Sequence, residues 1–194
     1  PSLAVVKGKP QILLGGGDGV CYAFEAMDKA GEGVASLKKV WWYNCNPPEY
    51  RLRDGKPIRY IAGDKRKKDS PNKNDGSYVG PSEIIATPVF HKNRVYVAIG
   101  QDPAHGRGRG MLHCIDATRQ GDVTESGRIW SYGGMDRSIA TASVADGLVY
   151  ITDIAGRLHC LDADTGRPVW VYETKAETWG GALVADGKLY FGTQ

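Results

Sequence analysis

The sequence predicts an all-β chain of short antiparallel strands, and three observations predict it. Apolar and polar residues alternate over short stretches and then break at Asp-Gly, Gly-Arg or Thr-Gly, and no stretch sustains a helical period. The 194 residues include 26 Gly, and 10 Tyr and 5 Trp supply most of the aromatic mass, a composition of turns and strands. The chain also repeats itself: ASVADGLVYI at 142–151 and ALVADGKLYF at 182–191 share six of ten residues at an offset of 40. A period of about 40 residues with four strands per unit is the pattern of a β-propeller, whose blades bury their faces only by stacking around an axis.

Taken in order, each unit opens on the block that carries the repeat. A third copy is PVFHKNRVYV at 88–97, where Asn93 stands for Gly147; both residue types tolerate the positive φ of a tight turn. A degenerate copy is VVKGKPQILL at 5–14. The next strand reads RLHCLDA at 157–163, MLHCIDA at 111–117 and VCYAFEA at 20–26. The closing strand reads GRPVWVY at 166–172, GRIWSY at 127–132 and KKVWWY at 38–43, each with a Trp followed by an aromatic. In the cleanest copy strands are expected at 142–145, 148–153, 157–162 and 168–173. Blades are expected at 1–47, 81–135 and 138–176, with a fourth begun at 180–194. Small propellers close with at least about four blades, so the expectation is three to four four-stranded antiparallel blades of a larger ring, all within one propeller domain. The chain begins Pro1-Ser2-Leu3, without an initiator Met or a signal-peptide pattern, and is expected to be an internal piece of a longer protein.

Two inserts interrupt the repeat. Residues 101–110 lengthen the hairpin between the second and third strands of the second blade. His105, Arg107 and Arg109 in it are candidates for binding an anionic group, with a solvated loop as the alternative. The larger insert, 44–80, carries Pro47-Pro48 and Lys65-Arg66-Lys67-Lys68, and reads as an exposed loop with local turns. Residues 51–75 hold nine Lys/Arg against four Asp, +5 of a total of +3, so the rest of the chain is about −2. The segment suits an acidic partner or an anionic surface. Aromatic residues are not interleaved with it, which argues against a nucleic-acid groove.

Several chemistries find no support. No apolar run approaches the ~18 residues needed to span a bilayer. Cys21, Cys45, Cys114 and Cys160 form no CxxC or CxxCH spacing, which argues against a zinc ribbon, a thioredoxin-type site and covalent haem. Cys114 and Cys160 occupy matching places on neighbouring blades, as do His113 and His159. Stacked sheets lie about 10 Å apart, too far for a disulfide, which needs Cα atoms within about 7 Å, or for shared metal ligation. Gly15-Gly16-Gly17-Asp18-Gly19 lacks the Lys-Ser/Thr of a phosphate loop and is expected to be a turn between strands.

The run Cys160-Leu161-Asp162-Ala163-Asp164-Thr165-Gly166-Arg167-Pro168-Val169-Trp170 resembles the tryptophan-docking repeat of pyrroloquinoline-quinone (PQQ) propellers, Ala-x-Asp-x-x-Thr-Gly-Lys-x-x-Trp. Cys160 stands for the usual Ala and Arg167 for the usual Lys. The second blade keeps Asp116, Gly127, Arg128 and Trp130 around a longer loop, and the first keeps Glu25 and Trp41 or Trp42. The resemblance implies structural docking roles for Trp41, Trp130, Trp170, Asp116, Asp162 and Gly166. Trp170 is expected to lie flat between adjacent blades, burying about 150–250 Å², at a truncation cost of about 3–5 kcal/mol.

The superfamily so resembled contains quinoprotein alcohol dehydrogenases and non-catalytic BamB-like members. In the former the quinone is gripped by a Trp and a disulfide of adjacent Cys, beside Ca²⁺ bound through carboxylate and amide oxygens. This sequence has no Cys-Cys pair, and Trp179 is the one weak candidate for a cofactor-facing Trp. The expected function is therefore a non-catalytic binding or assembly scaffold of the bacterial envelope, periplasmic, without cofactor, whose partners are proteins or the remaining blades. The alternatives are part of a dehydrogenase using PQQ with Ca²⁺, and a propeller that binds a sugar or peptide.

Overall fold

The computed structural model describes residues 1–27, 31, 33–57, 61–62, 65–66, 81–102 and 108–194. The first blade is β1 (Ser2–Val6), β2 (Lys9–Gly15), β3 (Val20–Glu25) and β4 (Lys39–Asn44), paired in that order. A single-turn helix α1 (Pro48–Arg51) and two hairpins, β5 (Leu52–Arg53) with β6 (Lys56–Pro57) and β7 (Ile61–Ala62) with β8 (Lys65–Arg66), follow. The second blade is β9 (Val89–His91), β10 (Arg94–Ile99) and β11 (Met111–Asp116), then the short β12 (Gly121–Asp122) and the outer strand β13 (Arg128–Tyr132). The third is β14 (Ser143–Ala145), β15 (Leu148–Thr152), β16 (Arg157–Asp162) and β17 (Pro168–Glu173), each within a residue or so of the expected strand. A two-stranded sheet, β18 (Leu183–Ala185) and β19 (Lys188–Tyr190), continues the series.

The turn chemistry explains the shared register of the inner hairpins. Lys7-Gly8, Lys92-Asn93, Asp146-Gly147 and Asp186-Gly187 all hold positive φ at both residues. A two-residue turn of that hand matches the twist of the strands it joins. A second feature also recurs. Where the third and fourth strands pair, the register shifts after Ala23, after Cys114 and after Cys160. The residue before each shift lies opposite a Trp: Ala23 opposite Trp41, Cys114 opposite Trp130, Cys160 opposite Trp170. A bulge here adds twist, and a small side chain opposite leaves room for the indole. This accounts for a buried Cys at a position otherwise given to Ala.

Two cores hold the array together, one at each junction between complete blades. Val95, Val97 and Ile99 of β10 face the first blade, packing with Leu13, Ala23, Trp41 and Tyr43. Tyr96 and Ala98, the alternate residues, face the third blade, with Trp130, Val149, Ile151 and Leu161. A strand sandwiched in this way is apolar on both faces, and β10 is buried from Val95 to Ile99.

The longer turn of the second blade does more than connect. It carries β12, which pairs in parallel with Trp41 and Trp42 on the outer edge of β4. Val123 N–H donates to the Trp42 carbonyl at 2.9 Å, and Asn44 N–H to Thr124 Oγ1 at 3.1 Å. The first blade thus gains a fifth strand from its neighbour. The start of the 44–80 insert also departs from the expected exposed loop. Cys45 and Asn46 are buried, and the Asn46 amide group bonds Ser82 N–H (2.7 Å), the Ser82 carbonyl (3.2 Å) and the Asp18 carbonyl (3.0 Å). The segment leaving one blade is thereby pinned to the segment that enters the next.

Candidate functional site

The contact between the second and third blades centres on one carbonyl. Ala163 O accepts from Trp130 Nε1 (3.1 Å), Arg94 Nη1 (3.0 Å) and the Tyr96 hydroxyl (3.2 Å). The Trp130 indole lies against Gly166, whose φ is +70°; a Cβ there would sit 2.5 Å from the ring. Asp162 organises this turn: its Oδ1 accepts from Asp164 N (3.1 Å), Thr165 N (2.8 Å) and Thr165 Oγ1 (2.7 Å). The Thr165 hydroxyl first, and then its amide, hold the Asp162 carboxyl below the usual range. Asp116 bonds Thr118 N and Oγ1 in the same manner. Gly166→Ala is expected to cost about 1–3 kcal/mol, through strained backbone and the displaced indole, read as a lower urea midpoint at unchanged slope.

The other tryptophans differ. Trp41 is fully buried, but its Nε1 bonds Gln11 Oε1 of its own blade at 3.1 Å. Trp170, expected to be wedged between blades, is instead 39% exposed, against 8% for Trp130. No described residue supplies the glycine turn against which it would lie.

A second inter-blade contact escaped the sequence reading. The Tyr two residues after the Trp reaches the His of the next blade: Tyr43 to His113 Nδ1 and Tyr132 to His159 Nδ1, both at 3.2 Å. The ring pairs meet edge to face, with centroids 5.4 and 5.7 Å apart. Behind His159 stands Asp153, fully buried, whose Oδ2 lies 3.0 Å from His159 Nε2 and 2.8 Å from Arg157 Nη2. The amides of Asp136 (2.9 Å) and Arg157 (3.0 Å) also donate to it. Burial works to raise the Asp153 carboxyl, but His159, the two amides and Arg157 together bring it below the usual range. Among the described residues His113 has no such acid: the register that places Asp153 after Thr152 places Ile99 after Ala98, and His113 Nε2 is buried without a hydrogen-bond partner. Burial pushes this imidazole down to about 4. The signal was present in the spacing Trp-x-Tyr, repeated at 41–43, 130–132 and 170–172 beside the repeated His.

Of the candidate anion-binding residues, His105 and Arg107 lie outside the described residues. Arg109 forms an ion pair with Glu49 of α1, and its carbonyl accepts from Ser82 Oγ at 2.6 Å. Trp179 lies between β17 and β18, 45% exposed, with its Nε1 3.4 Å from Glu177 Oε2. All four cysteines are free and buried, spread over β3, the end of β4, β11 and β16. Among the described residues no three His, Cys, Asp or Glu side chains gather as metal ligands. Among the described residues, Trp179 has neither a cysteine pair nor a set of carboxylate ligands beside it.

Among the described residues, a groove of about 550 Å³ lies against the first blade, lined by Tyr22, Lys39, Trp42, Arg51, Asp122 and Glu125 among others. Lys39 Nζ lies 4.2 Å from the Trp42 ring centroid and 5.6 Å from that of Tyr22. Arg51 and Arg128 both pair with Glu125, at 3.3 and 3.1 Å. The floor is aromatic and the rim carries both signs of charge. No described helix is long and apolar enough to cross a membrane.

Residues 119–194 match the family described as outer membrane protein assembly factor BamB. No curated protein matches the sequence. Among solved structures, BamB from Moraxella catarrhalis aligns with 99% of this chain at 17% identity and a TM-score of 0.57. A europium-containing methanol dehydrogenase aligns with 93% at 15% identity and a TM-score of 0.51. At these identities the likeness is one of fold. The chain spans 42% of the first structure and 35% of the second, so less than half of either. Repeat, blade architecture and structural neighbours agree on the fold: the chain has the fold of part of a β-propeller, and its residues 119–194 resemble the BamB family model.

Proposed function

We propose that the protein is a non-catalytic propeller serving as a binding or assembly scaffold in the bacterial envelope, on the periplasmic side. One observation carries the reading. The polar residues that recur through the repeat, and so could have formed a site, are spent between blades. Asp162 folds a turn, His159 and Asp153 join one blade to the next, and Tyr43 and Tyr132 reach across junctions. A groove with an aromatic floor and charges of both signs faces outward against the first blade, a surface that suits a polar protein partner. The name of the matched family, an assembly factor, supports the same reading.

The test has two arms. Addition of PQQ and Ca²⁺ is expected to give neither quinone absorbance nor dye reduction with alcohols; turnover would overturn the scaffold reading in favour of a dehydrogenase. In the second arm the protein is cross-linked in envelope fractions. Trp42→Ala and Lys39→Glu are expected to weaken capture of a discrete partner at least about tenfold, as loss of an aromatic anchor does. Equal capture by both variants would remove the groove from the proposal.

A further inference from the structure

We infer that the outer mouth between the second and third blades is a receptor for an extended segment of a partner protein. The segment adds in parallel to the free edge of β13 and carries an apolar residue, a Ser or Thr and an acidic residue in succession. The mouth is built by two blades of four strands each. It is separate from the groove on the first blade, so either can fail to bind without the other.

The junction between the first and second blades shows what such an edge takes. There the free edge of β4 is filled by β12 in parallel, Gly121↔Trp41 and Asp122↔Trp42. The next three residues each do one thing. Val123 N–H donates to the Trp42 carbonyl at 2.9 Å, and its side chain is buried in the first core. Thr124 Oγ1 accepts from the Asn44 N–H at 3.1 Å. Glu125 pairs with Arg51 and Arg128. Main-chain bonds to a sheet edge give affinity, and the side chains of the added strand give selectivity.

The following junction repeats the edge without the strand. Tyr43 and Tyr132 hold one repeat position, so Ser131 answers to Trp42 and Gly133 to Asn44. Both are exposed, and among the described residues β13 pairs only with β11. The turn of the third blade, 163–167, is held against Trp130 and Arg94 and carries no strand of its own. Across the mouth, Val169 and Val171 of β17 are 56% and 45% exposed. Val171 lies opposite His159, which meets Tyr132, so this side of β17 looks toward the second blade. At one end of the mouth is a cavity of about 360 Å³ lined by Ala155, Arg157, Glu173 and Lys175. Asp153 Oδ2 bonds both Arg157 and the amide of Asp136, just past β13. The cavity therefore lies where a strand parallel to β13 would end, and its two cations against one carboxylate suit an acidic side chain. An apolar wall, an open edge and a cationic end thus match the order Val123, Thr124, Glu125. The chain's own Val-Thr-Glu run is already committed to the first blade, which points to a different protein as the occupant.

The probe is a capped peptide copying residues 119–126, titrated into the full chain while backbone amide resonances are followed by NMR. Saturable shifts are expected at 129–133 and 169–175, with none at 39–44. Ser131→Pro removes an outward N–H from an edge strand, where proline is tolerated, and Val171→Asp removes the apolar wall. Each should weaken binding at least about fivefold. Lys175→Glu should weaken it about two- to fivefold, and a peptide with Lys in place of its Glu should recover affinity on that variant alone. Absence of saturable shifts at 129–133 overturns the inference, as does binding indifferent to both Ser131→Pro and Val171→Asp. Shifts confined to 39–44 also overturn it, because the peptide would then be exchanging with β12. So do shifts at 129–133 that grow with protein concentration before any peptide is added, since they make a second copy the occupant.

Discussion

Trp130→Ala is expected to destabilise the protein by about 3–5 kcal/mol, whereas Trp170→Ala should cost under about 1 kcal/mol, as exposed positions do. The two residues hold the same place in successive repeats, so propensity and sequence pattern cannot separate them; their surroundings do. The Trp130 indole lies between two complete blades, with its N–H on a buried carbonyl and its ring on Gly166. Truncation leaves a cavity in the second core, between Tyr96 and Leu161, which rigid sheets refill poorly. Around Trp170 the ring contact is Tyr150, at 6.0 Å between centroids, and water already reaches the rest. Urea unfolding at constant slope reads both effects. If the two variants lose equal stability, the junction is not where the stability lies.

This contrast also marks what was legible in the sequence. The strands of the third blade could be read directly because alternation and Asp-Gly turns are local signals, and the turn role of Asp162 follows from its own neighbours. Contacts between blades are harder to read, since their partners lie far apart in the chain. The bond from Tyr132 to His159 joins residues 27 apart, and that from Tyr43 to His113 joins residues 70 apart. Repetition of both residue types was visible, but the direction of blade stacking that makes them meet was not. The same holds at Trp170: a repeat position reports what a residue is built to touch, and the partner lies elsewhere in the sequence. The pairing of β12 with β4 was hidden differently, because a length difference in one turn gives no clue to the edge it will find.

Asp153→Ala is expected to be as damaging as the loss of Trp130, about 3–5 kcal/mol, because it strands the groups that its carboxylate joins inside the structure. Its oxygens accept from His159, Arg157 and two backbone amides. The effect should fade on acidification, and the sign follows from the folded state. Despite burial, these donors keep the Asp153 carboxyl below the usual range. Its contribution is therefore complete above the unfolded carboxylate value and is lost as the pH falls through the folded one. His113 adds an earlier step. Unfolded, the imidazole takes a proton near 6.5; folded, burial holds it neutral down to about 4. The unfolded chain binds more protons between those values, so stability declines as the pH drops across that window, by up to roughly 3 kcal/mol, and loses nothing further from this group below it. Wild type should thus weaken in two stages, the first below about pH 6.5 and the second below the ordinary carboxylate range. His113→Leu should erase the first stage and keep the second, while Asp153→Ala should keep the first and shrink the second. Urea midpoints measured from pH 7 to pH 3 resolve the two. A first stage unchanged in His113→Leu would mean that the buried imidazole is not its source.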